Sequence, residues 1–142
     1  NGLVRTCIDG ANGFRLASRL TDTPSLRTWL AAKAKERDEF AQDLQREVEG
    51  LGEYPVSSGS PLGDLHRTLM GIEAMGAPGT PDLVTEACLF GEHHALESYD
   101  SVLSTAPFRN RCSAHALVSA QRNRIEATRA ELVELRKELE RT

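Results

Sequence analysis

Apolar residues recur with the 3.6-residue period of a helix along almost the whole chain, and no stretch sustains the alternation of a strand. Leu3, Val4, Cys7, Ala11 and Phe14 share one side of a first helix, which runs to about Leu20. Thr23 then offers a cap, and Pro24 suits a first helical turn because its missing N–H is not needed there. Leu26, Trp29, Leu30, Phe40, Ala41, Leu44 and Val48 form the stripe of a second helix. It ends near Gly50-Leu51-Gly52, where glycine permits a left-handed cap. Residues 51–61 are turn-forming, and a short helix with Leu62, Leu65, Leu69 and Ile72 on one side follows them. After the break at Gly76 to Gly79, Thr80-Pro81-Asp82 repeats the cap signal, and Asp82 also suits the positive end of the helix dipole. Val84, Cys88, Gly91, Ala95, Tyr99 and Val102 mark a third long helix. Pro107 punctuates the chain, and the last helix should run from about Phe108 almost to Thr142 with no internal Gly or Pro.

The connections decide how these helices are arranged. Tight joints make the first two antiparallel neighbours, and the same holds for the pair joined at Thr105-Ala106-Pro107. This divides a single domain, 1–142, into a hairpin over 1–50, a crossover over 51–80 and a hairpin over 81–142. A helix of about 25 residues is about 37 Å long. An extended stretch plus a short helix can cover that length and return the chain to the other end. The expected fold is therefore all-α: a ferritin-like up-down-down-up four-helix bundle with a short extra helix in the long crossover. A simple up-down array of five helices is the alternative. The two Thr-Pro-x-Leu caps, at Thr23 and Thr80, hint at pseudo-symmetric hairpins.

Composition narrows the class. The 142 residues carry 17 Lys and Arg against 21 Asp and Glu, a formal net charge of −4. With no basic cluster, the chain lacks the electrostatic footprint for nucleic acid or an anionic membrane. Hydrophobic residues make up 39% and aromatics 5%, which favours thin helical packing over a thick sandwich core. No apolar run reaches membrane-spanning length and no signal peptide is recognisable, so a cytoplasmic protein is expected. Cys7, Cys88 and Cys112 are odd in number and lack metal-knuckle or redox-pair spacing. Buried free thiols are the expectation, with a redox or metal role as the alternative.

Several ordered pieces carry a resemblance. They are Cys7-Ile8-Asp9-Gly10, Gly13-Phe14, Glu36-Arg37 through Phe40-Ala41 and Leu44, Ser57 to Ser60 with His66-Arg67, and Cys88 through Gly91-Glu92. Together the chain resembles bacterial ferritin-like four-helix-bundle proteins of unknown function. The resemblance spans nearly the whole chain. It implies the ferritin-like fold and brings no established activity.

Di-iron carboxylate bundles need a Glu from each of two helices and Glu-x-x-His from each of the other two, because i,i+3 spacing sets both ligands on one face. Glu-x-x-His is absent from this chain. Glu92-His93-His94 points in diverging directions, since adjacent helical positions lie about 100° apart. The wheel instead sets Arg37 in the middle of the Leu26-Leu30-Leu44 stripe and Glu92 at the border of the Cys88-Ala95-Tyr99 stripe. Measured from the capped helix starts, Arg37 lies about 18 Å and Glu92 about 16 Å along the axis. An unpaired internal guanidinium costs several kcal/mol. The expectation is a central polar layer of Arg37, Glu92 and Gln121 at the level where di-iron proteins hold metal. The alternative is that Arg37 snorkels to solvent. Catalytic residues, a metal and a cofactor are not expected.

Glu36, His66 and His94 are the remaining ligand candidates. His66 fits a hydrogen-bonded core histidine better than a ligand. His94 flanks Phe90 and Leu83 and should be half buried; His93 should face solvent with Glu97 as a weak partner. On the last helix, Val118, Ile125, Leu132 and Leu139 recur every seven residues, with Leu135 between the last two. At over thirty residues this helix outlasts its partners, so an overhang near Leu132 to Leu139 would expose leucines in a monomer; a homodimer contact through that helix is expected, with a flexible end as the alternative. No nucleophile motif is present. The function expected is a non-catalytic bundle with a structural or protein-interaction role, including one in stress physiology. The alternatives are a diverged di-iron-type oxidoreductase using Glu92, His94, Glu36 or His66, and a carrier of an apolar ligand.

Overall fold

A computed structural model describes residues 2–52, 54, 71, 80–105 and 112–140. Its elements are α1 (Gly2–Leu20), α2 (Pro24–Gly50), α3 (Pro81–Leu103) and α4 (Cys112–Glu140). The arrangement is all-α, with no strand among the described residues. None of the described helices is long and apolar enough to cross a membrane. The expected connector helix with His66, the Ser57 to Ser60 linker and the start of the last helix near Phe108 lie outside the described residues.

Local chemistry explains the helix ends. At α3, Thr80 stands at the N-cap, and its Oγ1 accepts a hydrogen bond from the Leu83 N–H at 3.3 Å. At α2, Thr23 occupies the N-cap position but its side chain makes no capping bond. The two caps are thus not equivalent, and the Thr23 N–H donates to the Thr21 hydroxyl at 3.3 Å. Arg27 fastens that corner by donating Nη2 to the Thr21 carbonyl at 2.7 Å. Past the end of α2, Gly52 takes a φ of +79°, a left-handed turn that a side chain would strain.

Contacts between helices run in opposed residue order. Ser18 donates to the Arg27 carbonyl at 2.9 Å, so the end of α1 meets the start of α2. Cys7 near the start of α1 meets Tyr99 near the end of α3 at 2.9 Å. Trp29 Nε1 near the start of α2 donates to Glu131 on α4 at 2.9 Å. Arg136 late in α4 faces Asp82 early in α3 at 3.7 Å.

Two apolar clusters fill the interior. One joins Phe14, Leu16, Leu26, Leu30, Val84, Cys88 and Leu132. The other joins Val4, Cys7, Leu44, Val48, Tyr99, Val118 and Ile125. Burying each large aliphatic side chain contributes roughly 1.5–3 kcal/mol. Along α2, Arg37 falls between the residues of the first cluster and those of the second; along α3, Glu92 does the same.

Leu132 of α4 is not exposed as expected, and Leu135 and Leu139 are half-buried. Leu132 is fully buried, and Leu135 packs on the first cluster. These side chains are used inside the chain, which removes the premise of an open leucine seam at Leu132. Among the described residues, the large exposed apolar groups lie elsewhere, at Leu51 and Tyr54 beyond α2 and at Leu83 and Phe90 on α3.

The two caps should differ on mutation. Thr80→Ala removes a formed capping bond and should cost about 1 kcal/mol; Thr23→Ala should cost less than half of that. Urea unfolding of both variants measures the difference, and equal losses would count against the assignment.

Candidate functional site

The buried stripe of α2 reads Leu26, Leu30, Ala34, Arg37, Ala41, Leu44 and Val48, so a cation stands where the period calls for an apolar residue. On α3, Glu92 follows Cys88 by one turn and precedes Ala95 and Tyr99 on the buried face. Arg37 is 1% exposed and Glu92 2%. Arg37 Nη2 donates to Glu92 Oε2 in a direct ion pair.

The guanidinium is enclosed by neighbours that suit it. Its carbon lies 5.3 Å from the centre of the Phe14 ring and 6.0 Å from that of Phe40, within cation–π range. Gly10 of α1 leaves the space it needs: a Cβ there would stand 3.2 Å from Arg37 Nη1. Glycine within a helix costs about 1 kcal/mol relative to alanine. At Gly10 that cost permits the close approach of α1.

Burial and pairing act against each other on both charges. For Arg37, burial favours losing the proton, but the charge and hydrogen bond of Glu92 outweigh it and raise its pKa. For Glu92, burial raises the pKa, and Arg37 offsets this only in part. Lys33 also lowers it and Glu36 raises it further. The pair carries no net charge, and each member is the counter-charge the other requires.

Gln121 belongs to a second polar chain beside the second apolar cluster. Its Nε2 donates to the Phe40 carbonyl at 3.2 Å. That fixes the amide orientation, so Oε1 accepts from the Tyr99 hydroxyl at 2.7 Å. With the tyrosine proton used, the Cys7 thiol donates to the Tyr99 oxygen at 2.9 Å. Gln121 thus bonds to Tyr99 and to backbone rather than to Arg37 or Glu92. The buried hydroxyl of α4 between the two clusters is instead Thr128, whose Oγ1 donates to the Arg124 carbonyl at 3.1 Å.

The other candidates are dispersed. Glu36 accepts from Arg124 Nη2 at 2.9 Å. His94 is exposed rather than half buried, because its ring rests edge-on against the outward Phe90, 4.6 Å between centres. His93 pairs with Glu97 at 3.0 Å on the surface. His66 lies outside the described residues. No three His, Cys, Asp or Glu side chains converge as a metal-binding group among the described residues.

Residues of this site that sequence reasoning did not single out are Gly10, Cys7 as a donor and Tyr99 as the centre of a hydrogen-bond chain. A glycine interrupting the α1 pattern was the available signal for the first. Tyr99 reads as an ordinary stripe residue, and nothing in its spacing announces its partners.

The described residues form an all-α arrangement of four helices with an ion pair buried between α2 and α3 and approached by α1. The chain belongs to the family described as a domain of unknown function, DUF2383, whose model matches residues 1–105. The match takes in α1, α2 and α3, with Arg37 and Glu92 among them. No curated protein and no solved structure matches the chain.

The thiols supply a pH test. Burial pushes Cys7 from 9.0 up to about 11. Burial also raises Cys88 and Tyr99. A raised folded-state value stabilises below the unfolded value and loses that effect as pH rises through the folded one. The thermal midpoint should therefore hold to about pH 9 and fall between 9 and 11. Iodoacetamide at pH 8 should modify Cys7 and Cys88 far more slowly in the native than in the urea-unfolded chain, as read by peptide mass. Equal rates would contradict the burial.

Proposed function

We propose that this chain is a non-catalytic bundle of ferritin-like, up-down-down-up order with a structural or protein-interaction role. The crossover over 51–80, with its short helix, is part of that reading. Support for the order comes from the opposed contacts Ser18 to Arg27, Cys7 to Tyr99, Trp29 to Glu131 and Arg136 to Asp82. If α1 runs up, those contacts make α2 and α3 run down and α4 run up.

One observation carries the role: the Arg37 guanidinium is bonded to Glu92 midway along α2 and α3. A ferritin-like metal centre needs carboxylates free to bind cations at that level. Here the buried carboxylate of α3 already has its cation, and a fixed positive charge beside it opposes a divalent ion. The partner role includes self-association through α4, to which half-buried Val133, Leu135 and Leu139 would contribute apolar contacts.

The rival reading, a diverged metal site, rests on Glu36, whose Oε1 is buried without a hydrogen bond among the described residues. Elemental analysis of the full chain, purified without added metal, separates the two. Iron and manganese should fall well below one equivalent per chain. Stoichiometric metal, lost on Glu36→Ala or Glu92→Ala, would overturn the proposal.

A further inference from the structure

One end of the helix assembly holds a cavity of about 770 Å³. The start of α1, the ends of α2 and α3 and the start of α4 all line it. Its volume lies in the range of small-molecule sites, about 300–1,000 Å³. Leu3, Leu44, Val48 and Val118 give it aliphatic walls, and no aromatic ring is among its described lining residues. Such walls suit an alkyl chain and offer nothing for a flat ring to stack on.

The rim is specific in a different way. Glu47 and Glu97 contribute two carboxylates, and the described lining contains no Lys or Arg. Two of the four hydroxyl residues in the described lining have used their protons locally: Thr6 donates to the Gly2 carbonyl at 3.0 Å and Thr105 to the Ser101 carbonyl at 3.0 Å. What these two turn outward are acceptor oxygens. Two helix N-termini and two helix C-termini meet at this end, so the dipoles largely cancel and do not favour an anion. His93 pairs with Glu97 from the outer face and reduces the acidic character without reversing it.

We propose that this cavity is a binding site for a single-chain amphiphile with a cationic, hydrogen-bond-donating head, the chemistry of a primary alkylamine. The chain lies among the aliphatic walls and the ammonium meets the acceptor rim. A fatty carboxylate of equal length fits the walls and is repelled at the rim. This goes beyond the structural reading above, since neither the ion pair nor the metal question bears on it.

Calorimetric titration of the full chain with decylamine and with decanoate, both below their micellar concentrations, tests it. Decylamine should saturate at one equivalent and bind about tenfold more tightly than decanoate at neutral pH. Ala114→Trp and Ser98→Trp introduce a ring from two different lining positions and should each abolish binding, while far-UV dichroism and the thermal midpoint show a folded chain. Glu47→Lys combined with Glu97→Lys should reverse the order of the two ligands. Absence of saturable decylamine binding would overturn the proposal. So would equal affinity for decanoate, or binding that survives both filling variants in folded protein.

Discussion

The interior of this protein turns on two charges that cannot be separated. Arg37 and Glu92 are removed from water together, and either one alone would be a buried ion with no counter-charge. The consequences extend to other helices. Gly10 lets α1 pass close to the guanidinium, where a Cβ would crowd Nη1, and the rings of Phe14 and Phe40 lie within cation–π range of it. The pair also divides the core into two apolar clusters. A slip of α2 against α3 by one turn, 5.4 Å, would part the charges and bury both unpaired. The ion pair therefore opposes such slips, which aliphatic packing alone penalises weakly.

Much of this was legible in the sequence because helical periodicity is a strong signal and a charge on an apolar stripe is conspicuous. Arg37 stands seven residues from both Leu30 and Leu44, and Glu92 follows Cys88 by one turn. What escaped depends on features that spacing does not encode. Thr23 and Thr80 share a motif, yet only the Thr80 side chain forms the capping bond. Gln121 was set at the level of Arg37 by helix rise, but its amide found the Phe40 carbonyl and the Tyr99 hydroxyl. Leu132 looked available for a partner only because the relative lengths of the helices were unknown; it is buried within the chain. His94 was judged by its apolar neighbours, which themselves face outward.

The same comparison separates fold from task. A fold does not by itself fix a task, and the side chains at the centre of the described helices are those of an ion pair. A cation supplied by the chain itself occupies the central level. The volume suited to an outside molecule lies at one end, where the four helices present aliphatic walls and an acidic rim.

A double-mutant cycle across the central pair tests this account most directly. Arg37→Leu, Glu92→Leu and the combined variant would be compared with the parent chain by urea unfolding. Each single change should cost about 3–5 kcal/mol, because it strands the opposite charge, and the combined change should cost less than either. Losses that simply add, with no coupling between the two positions, would show that the charges do not depend on one another and would contradict the account.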